Sequence, residues 1–179
     1  MLKTLRQIAS IGIVSESPPP ADDSLRVREG LSERIRTVLG RALCIRHVDA
    51  GSCNGCELEI QALNNPIYNL EGLGIRFVAS PRHADLLLVT GPVSRHMEGA
   101  LERTYAATPD PKLVVALGDC GCTGGIFGES YASRGRVSNI IPVDVAVPGC
   151  PPSPIRILEG ILAALEHSAR ARATHEAKD

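Results

Sequence analysis

The sequence predicts an α/β protein of the flavodoxin-like kind: a doubly wound parallel sheet of about five strands, with its longer loops at the carboxyl ends of those strands. Three observations carry this expectation. Short runs that are almost continuously apolar and rich in β-branched residues recur along the chain, as strands buried on both faces require. Stretches with helical spacing lie between them, the alternation that yields parallel strands. Gly or Pro closes nearly every run.

The elements follow in order. Met1 to Val14 sets Leu2, Leu5, Ile8 and Ile11 three apart with Lys3 and Arg6 between them, the spacing of a short amphipathic helix. Ser15 to Ser24, with Pro18-Pro19-Pro20, reads as an extended linker. Residues 31–40 read as a helix, with Leu31, Ile35, Val38 and Leu39 on one face and basic residues opposite. Residues 1–40 are thus an extension ahead of a core domain at 41–167. Cys44 to Val48 is the first expected strand, ended by Gly51, and Cys56 to Asn64 is a helix that stops before Pro66. Ile75 to Ala79 and Asp85 to Thr90 are strands bounded by Gly74 and by Gly91-Pro92. Met97 to Ala107 has helical spacing and ends before Pro109, and Lys112 to Leu117 and Val143 to Val147 complete the strands. Ser153-Pro154 opens the last helix as N-cap and first-turn proline, with Ile155, Leu158, Leu162 and Leu165 as its inward stripe. From Ser168 the chain is small and charged, so 168–179 is expected to fray as a charged tail.

Composition narrows the function. A chain of 179 residues suits one domain, and a formal net charge of −1 leaves no whole-chain footprint for nucleic acid. Three Tyr, two Phe and no Trp argue against base-stacking platforms. No apolar run approaches the ~20 residues of a membrane span. The N-terminus carries neither a secretory signal nor a twin-arginine signal, so the expected compartment is the cytoplasm. Six cysteines there point to metal or redox chemistry rather than disulfides.

Five of the six cysteines fall in three islands: Cys53-Asn54-Gly55-Cys56, Gly118-Asp119-Cys120-Gly121-Cys122 with Gly124-Gly125 trailing, and Pro148-Gly149-Cys150-Pro151-Pro152. The islands follow the first, fourth and fifth expected strands. Loops at the carboxyl ends of parallel strands open into one crevice, so four thiolates can converge there. The Cys-x-x-Cys pair alone fits a zinc knuckle, a dithiol redox pair or half of a cluster site. A redox pair leaves Cys120 and Cys150 unexplained. Zinc matches the ligand count, although structural zinc usually takes two compact knuckles. A [4Fe–4S] cluster needs four thiolates around a larger core, which ligands on separate loops suit. Pro151 would stiffen its loop, and Gly121, Gly124 and Gly125 would let backbone N–H groups approach a negative centre.

Gly51-Ser52-Cys53-Asn54-Gly55-Cys56-Glu57-Leu58-Glu59 resembles the opening of the small subunit of energy-converting, membrane-associated [NiFe] hydrogenases. Gly118-Asp119-Cys120 with Gly124-Gly125, and Ile141 to Asp144 running into Pro148 to Pro154, resemble that group too. The same blocks are similar to the 20-kDa cluster-bearing subunit of respiratory complex I, and the likeness runs from about Arg46 to Leu165. The resemblance implies that Cys53, Cys56, Cys120 and Cys150 hold one [4Fe–4S] cluster beside a catalytic large subunit. Two departures from the complex I subunit point to the hydrogenase branch. That subunit has its first two cysteines adjacent, where Asn54-Gly55 intervenes here, and Arg where this chain has Ser153. Uptake-hydrogenase small subunits are longer, with more cysteines and an export signal, so a single cluster is expected here.

The same resemblance implies the partners: a large subunit carrying the nickel-iron centre, a ferredoxin-like iron–sulfur subunit and membrane subunits. Nickel in those enzymes is held by two Cys-x-x-Cys pairs, and this chain has only one. The expected role is therefore an electron relay that is not catalytic alone, peripheral on the cytoplasmic side of the inner membrane. The alternative is the equivalent subunit of a nickel-free, complex I-like oxidoreductase. Glu59, where the family also has a carboxylate, is the candidate for a proton path, ahead of Glu57 and Asp119. Cys44 and Cys122 read as buried small hydrophobes. His47 reads as a satisfied core or interface histidine, and Arg95, His96 and Met97 as partner contacts. The N-terminal stripe reads as docked on a sister subunit rather than on lipid.

Overall fold

A computed structural model of the chain describes residues 2–11 and 23–176. Six helices and five strands are seen there: α1 (Leu2–Ile11), α2 (Asp23–Leu39), β1 (Leu43–Asp49), α3 (Gly55–Ala62), β2 (Ile75–Phe77), β3 (Leu86–Thr90), α4 (Arg95–Ala107), β4 (Leu113–Leu117), α5 (Gly118–Thr123), β5 (Val145–Val147) and α6 (Pro154–Glu176). All strand pairs are parallel and the order is β2-β1-β3-β4-β5, the doubly wound arrangement expected from sequence. The order reverses between β1 and β3, and the crevice outside the carboxyl ends of such a pair is where open α/β sheets bind their ligands.

Alternation along the strands splits the core in two. Leu43, Ile45, Leu86, Leu88, Val115 and Leu117 pack with Leu31 and Ile35 of α2, Ile60 of α3, and Leu158, Ile161 and Leu165 of α6. Val48, Leu87, Val89, Val114 and Ala116 face the other way, onto Leu101 of α4, Val137 and Ile141. Helices therefore cover both faces, which explains why the strands read as unbroken apolar runs.

Several boundaries differ from expectation for physical reasons. The helix α2 starts at Asp23, not near Leu31, and runs straight through Gly30, where it crosses α6 with Leu162 Cδ2 only 4.0 Å from where a Cβ would stand. It supplies buried Leu31 and Ile35, so this part of the extension packs with the core. The proline stretch read as a linker lies, apart from Asp23 and Ser24, outside the described residues. On α1, Leu2 and Leu5 are exposed. The final helix continues past Ser168 to Glu176, because Ala, Arg and Glu in this stretch are strong helix formers. Its buried stripe is Ile157, Leu158, Ile161, Ala164 and Leu165, while Ile155 and Leu162 are only partly covered. The largest departure is α5: the segment bearing Cys120 and Cys122, read as a loop, is a short helix. Among the described residues, no helix is long and apolar enough to cross a membrane.

Candidate iron–sulfur site

The chain turns sharply after β1. Asp49 Oδ1 accepts the backbone N–H groups of Gly51 and Ser52, each at 2.8 Å. This loop lies against Gly91 at the end of β3, where an added Cβ would stand 2.5 Å from Ser52 N. Asn54 then adopts φ 72°, a left-handed conformation that Asn tolerates better than most residues, and α3 begins at Gly55. Cys53 thus precedes the helix and Cys56 sits in its first turn.

From the far side of the sheet, β4 leads through Gly118 (φ 81°) into α5, which carries Cys120 and ends at Gly124 (φ 92°). Asp119 ties this helix to the loop after β5. Its N–H donates to Gly149 O at 2.9 Å, and its Oδ1 accepts Gly149 N–H at 2.8 Å. The two segments bearing Cys120 and Cys150 are so clamped through both backbone and side chain. The stretch after α5 is pinned in turn to residues after β3, with Val93 N–H donating to Gly135 O and Arg134 N–H to Val93 O.

These turns place Cys53, Cys56, Cys120 and Cys150 on the wall of one cavity of about 150 Å³, together with Ser52, Gly91, Asp119 and Gly149. Cys53 and Cys150 are exposed, while Cys56 and Cys120 are half-buried. Burial raises the Cys56 pKa to about 12, helped by the Glu57 carboxylate and then by Cys53, Cys120 and Cys150. Burial also raises the Cys120 pKa, followed by the charges of Cys150, Cys53 and Asp119. All four sulfurs thus lie within electrostatic reach of one another. Among the described residues, no three His, Cys, Asp or Glu side chains are grouped so as to hold a metal ion.

The two remaining cysteines stand apart. The Cys122 thiol donates to Ala116 O at 3.5 Å on β4, and burial raises its pKa to about 11. Cys44 is buried near the start of β1, the opposite end of that strand, where its sulfur accepts Arg76 Nε–H at 3.4 Å. A raised pKa keeps a thiol protonated, and hence slow to react, until the pH climbs towards that value. In the metal-free protein at about pH 8, iodoacetamide should therefore label exposed Cys53 and Cys150 first, with Cys56 and Cys122 following only as the pH is raised. Peptide mass spectrometry reads this directly; equal labelling of Cys56 and Cys53 at the lower pH would refute the burial argument.

The carboxylate that the fold brings inward is Glu57, not Glu59. Glu57 is buried and accepts the Ser52 hydroxyl at 2.6 Å and the Thr90 hydroxyl at its other oxygen. His47 Nε2 stands 3.0 Å from Thr90 Oγ1 and 3.6 Å from Glu57 Oε1, and burial lowers its pKa against the opposing pull of Glu57. His47 is therefore a hydrogen-bonded interior histidine. Glu59 is half-buried on α3 and does not line the cavity. Thr90, which anchors Glu57, lies 33 residues further along, so no local spacing marks this contact. Arg95 and His96 are exposed at the start of α4, outside the cavity. Around the cysteine segments, large apolar side chains face solvent: Leu58 two residues past Cys56, and Ile126 and Phe127 beside Gly125, with Ile126 95 % exposed.

Comparison with known proteins shows what the chain is similar to. Residues 53–164 match the family described as NADH ubiquinone oxidoreductase, 20 Kd subunit. The chain is 47 % identical over 146 residues to the probable membrane-bound hydrogenase subunit mbhJ of Pyrococcus furiosus, covering 80 % of this chain and 87 % of that one. It is 43 % identical over 149 residues to formate hydrogenlyase subunit 7 of Escherichia coli, covering 83 % of this chain and 57 % of that protein's length. Among solved structures, it superposes with a TM-score of 0.62 and 36 % identity on a chain of the membrane-bound sulfane sulfur reductase, an archaeal respiratory membrane complex, covering 77 % of this chain and 75 % of that one.

Proposed function

The chain belongs to the family of the NADH ubiquinone oxidoreductase 20 Kd subunit, and on that premise we propose that it is the electron-relay small subunit of a membrane-associated [NiFe] hydrogenase. It is an electron-transfer subunit of a membrane oxidoreductase complex. The finer reading is that Cys53, Cys56, Cys120 and Cys150 hold one [4Fe–4S] cluster. One observation carries it: four cysteines from three distant segments line a single cavity at the carboxyl edge of the sheet.

The walls of that cavity suit such a group. A Cβ on Gly118 would stand 2.6 Å from Cys56 Sγ, and one on Gly125 would stand 2.9 Å from Cys120 Sγ, so both positions must stay bare for the thiols to keep their places. Four thiols on separate segments around one cavity of about 150 Å³ suit the larger core of a [4Fe–4S] cluster. When bound, a [4Fe–4S] cluster takes up and releases single electrons. The chain's own residues supply four thiolates, exclude water at Cys56 and Cys120 by burial, and fix the spacing through Asp119 and Gly149.

The chemistry of H2 then falls to a large subunit carrying the nickel-iron centre, since the one Cys-x-x-Cys pair here is committed. Exposed Leu58, Ile126 and Phe127 beside the cavity supply an apolar rim for that partner. A ferredoxin-like subunit exchanges electrons on the other side, and membrane subunits anchor the whole at the cytoplasmic face of the inner membrane. Glu59, on the same helix as Cys56, remains the candidate for a proton path to the large subunit.

Metal analysis of the complex purified anaerobically through this chain tests the proposal. Nickel near one per complex, with H2-dependent dye reduction, is the expected result. An intact complex containing iron but no nickel and no H2 activity would move the chain to a nickel-free oxidoreductase, as the name of its family and the sulfane sulfur reductase neighbour would accommodate. Stoichiometric zinc without iron would end the cluster reading altogether.

A further inference from the structure

Ser52 immediately precedes Cys53 and Glu57 immediately follows Cys56, so the 2.6 Å hydrogen bond between their side chains closes the Cys-x-x-Cys segment at both ends. The other Glu57 oxygen accepts the hydroxyl of Thr90, the last residue of β3. We propose that Glu57 is a positioning residue for the Cys53–Cys56 segment, holding both thiols in register with the sheet through the hydroxyls of Ser52 and Thr90. This inference rests on the reading that these cysteines bind an iron–sulfur cluster.

The donor inventory makes the arrangement directional. A hydroxyl carries one proton, and of the two acceptors within reach of Thr90, Val48 O at 3.5 Å and the much nearer Glu57 carboxylate, the carboxylate takes it, so the Thr90 oxygen is left to accept. His47 Nε2, 3.0 Å away, must therefore be the donor to Thr90. Ser52 likewise gives its proton to Glu57, and its oxygen accepts Asn54 N–H at 3.1 Å. That last bond reaches the residue held at φ 72°, inside the segment itself. Every step points towards the Glu57 carboxylate, and each of its oxygens receives one hydroxyl.

A buried carboxylate is costly unless it is hydrogen-bonded, and a fully satisfied buried network is rigid. The network is also anchored to the sheet: Thr90 O accepts Ala50 N–H at 2.9 Å, and Thr90 pairs with Asp49 in the β1–β3 register. Asp49 holds only the backbone of Gly51 and Ser52, at the entry to the segment, whereas Glu57 takes the Ser52 hydroxyl across it. Glu59 does not line the cavity, and Asp119 serves the Cys120 and Cys150 side.

The test uses the full chain isolated anaerobically, following the decay of the reduced cluster's EPR signal in excess bathophenanthroline. Partners that orient metal ligands typically change metal retention by roughly 10–100-fold when removed, so Glu57→Gln and Ser52→Ala should shorten the half-life by that order and shift the g-values. Thr90 separates positioning from packing. Thr90→Val keeps the shape and loses the hydroxyl, whereas Thr90→Ser loses a methyl group and keeps it. Positioning requires that Thr90→Val shorten the half-life and Thr90→Ser leave it near wild type; the reverse order would show that Thr90 only fills space and would overturn the inference. If Glu57→Gln does not fold, Ser52→Ala, at a half-buried position, decides in its place. Unchanged half-lives and spectra in Ser52→Ala and Thr90→Val, with wild type loaded, would sink this inference alone. A wild-type chain that takes up no iron–sulfur cluster would sink the underlying reading together with it.

Discussion

Replacement of Cys53, Cys56, Cys120 or Cys150 by alanine, one at a time, should drop the anaerobically isolated chain from about four iron and four sulfide to near none, with loss of its EPR signal on reduction. Each thiol lines the same cavity, and neither Cys44 nor Cys122 does. Cys122 is the instructive control, because it shares α5 with Cys120 and differs only in direction. Its sulfur is bonded to Ala116 O on the sheet rather than lining the cavity. Cys122→Ala should therefore keep the iron and cost only about 1 kcal/mol of stability, the ordinary effect of a small interior change. Cys44→Ala should do the same from the other end of β1. Iron loss in Cys122→Ala with retention in Cys120→Ala would exchange the ligand assignment on α5.

Gly118→Ala should be nearly as damaging, although it removes no ligand. Gly118 has φ 81°, where an L side chain costs about 1–2 kcal/mol. Its Cβ would also stand 2.6 Å from Cys56 Sγ, so the thiol must move or the turn into α5 must open. Strain and collision can be separated. Gly40 has φ 64° with nothing within 4 Å of its would-be Cβ, so Gly40→Ala carries a similar strain and no collision. Thermal melts should show both variants destabilised by a comparable amount, while iron content falls only in Gly118→Ala. Equal iron in the two would mean that the cavity wall yields, and that Gly118 serves backbone conformation alone.

Much of this site could be read from the residues because parallel strands buried on both faces leave a strong apolar trace, and the cysteine islands begin where those traces stop. The strand order follows from the same alternation. Other features left no such trace. In α5, glycine, aspartate, cysteine and threonine occupy the six positions with no apolar periodicity, so nothing in the residues marks a helix. The first turns of α2, from Asp23 to Gly30, hold few apolar residues, so its start leaves little periodic trace. The inward turn of Glu57 depends on Thr90 and His47, which only the β1–β3 pairing brings together. Local spacing reports which face a residue takes within its own element. It is silent on contacts made between elements, and it was there that Glu59 was preferred to Glu57.

Asp119 and Gly149 exchange two hydrogen bonds across a separation of 30 residues. The segments bearing Cys120 and Cys150 are thus braced by the polypeptide itself, and Asp49 braces the Cys53–Cys56 turn in the same way. In small zinc domains the ion is the brace, so that removing metal unfolds the chain. Here the ligand loops carry struts of their own, and a change in metal occupancy need not reach the sheet that presents them.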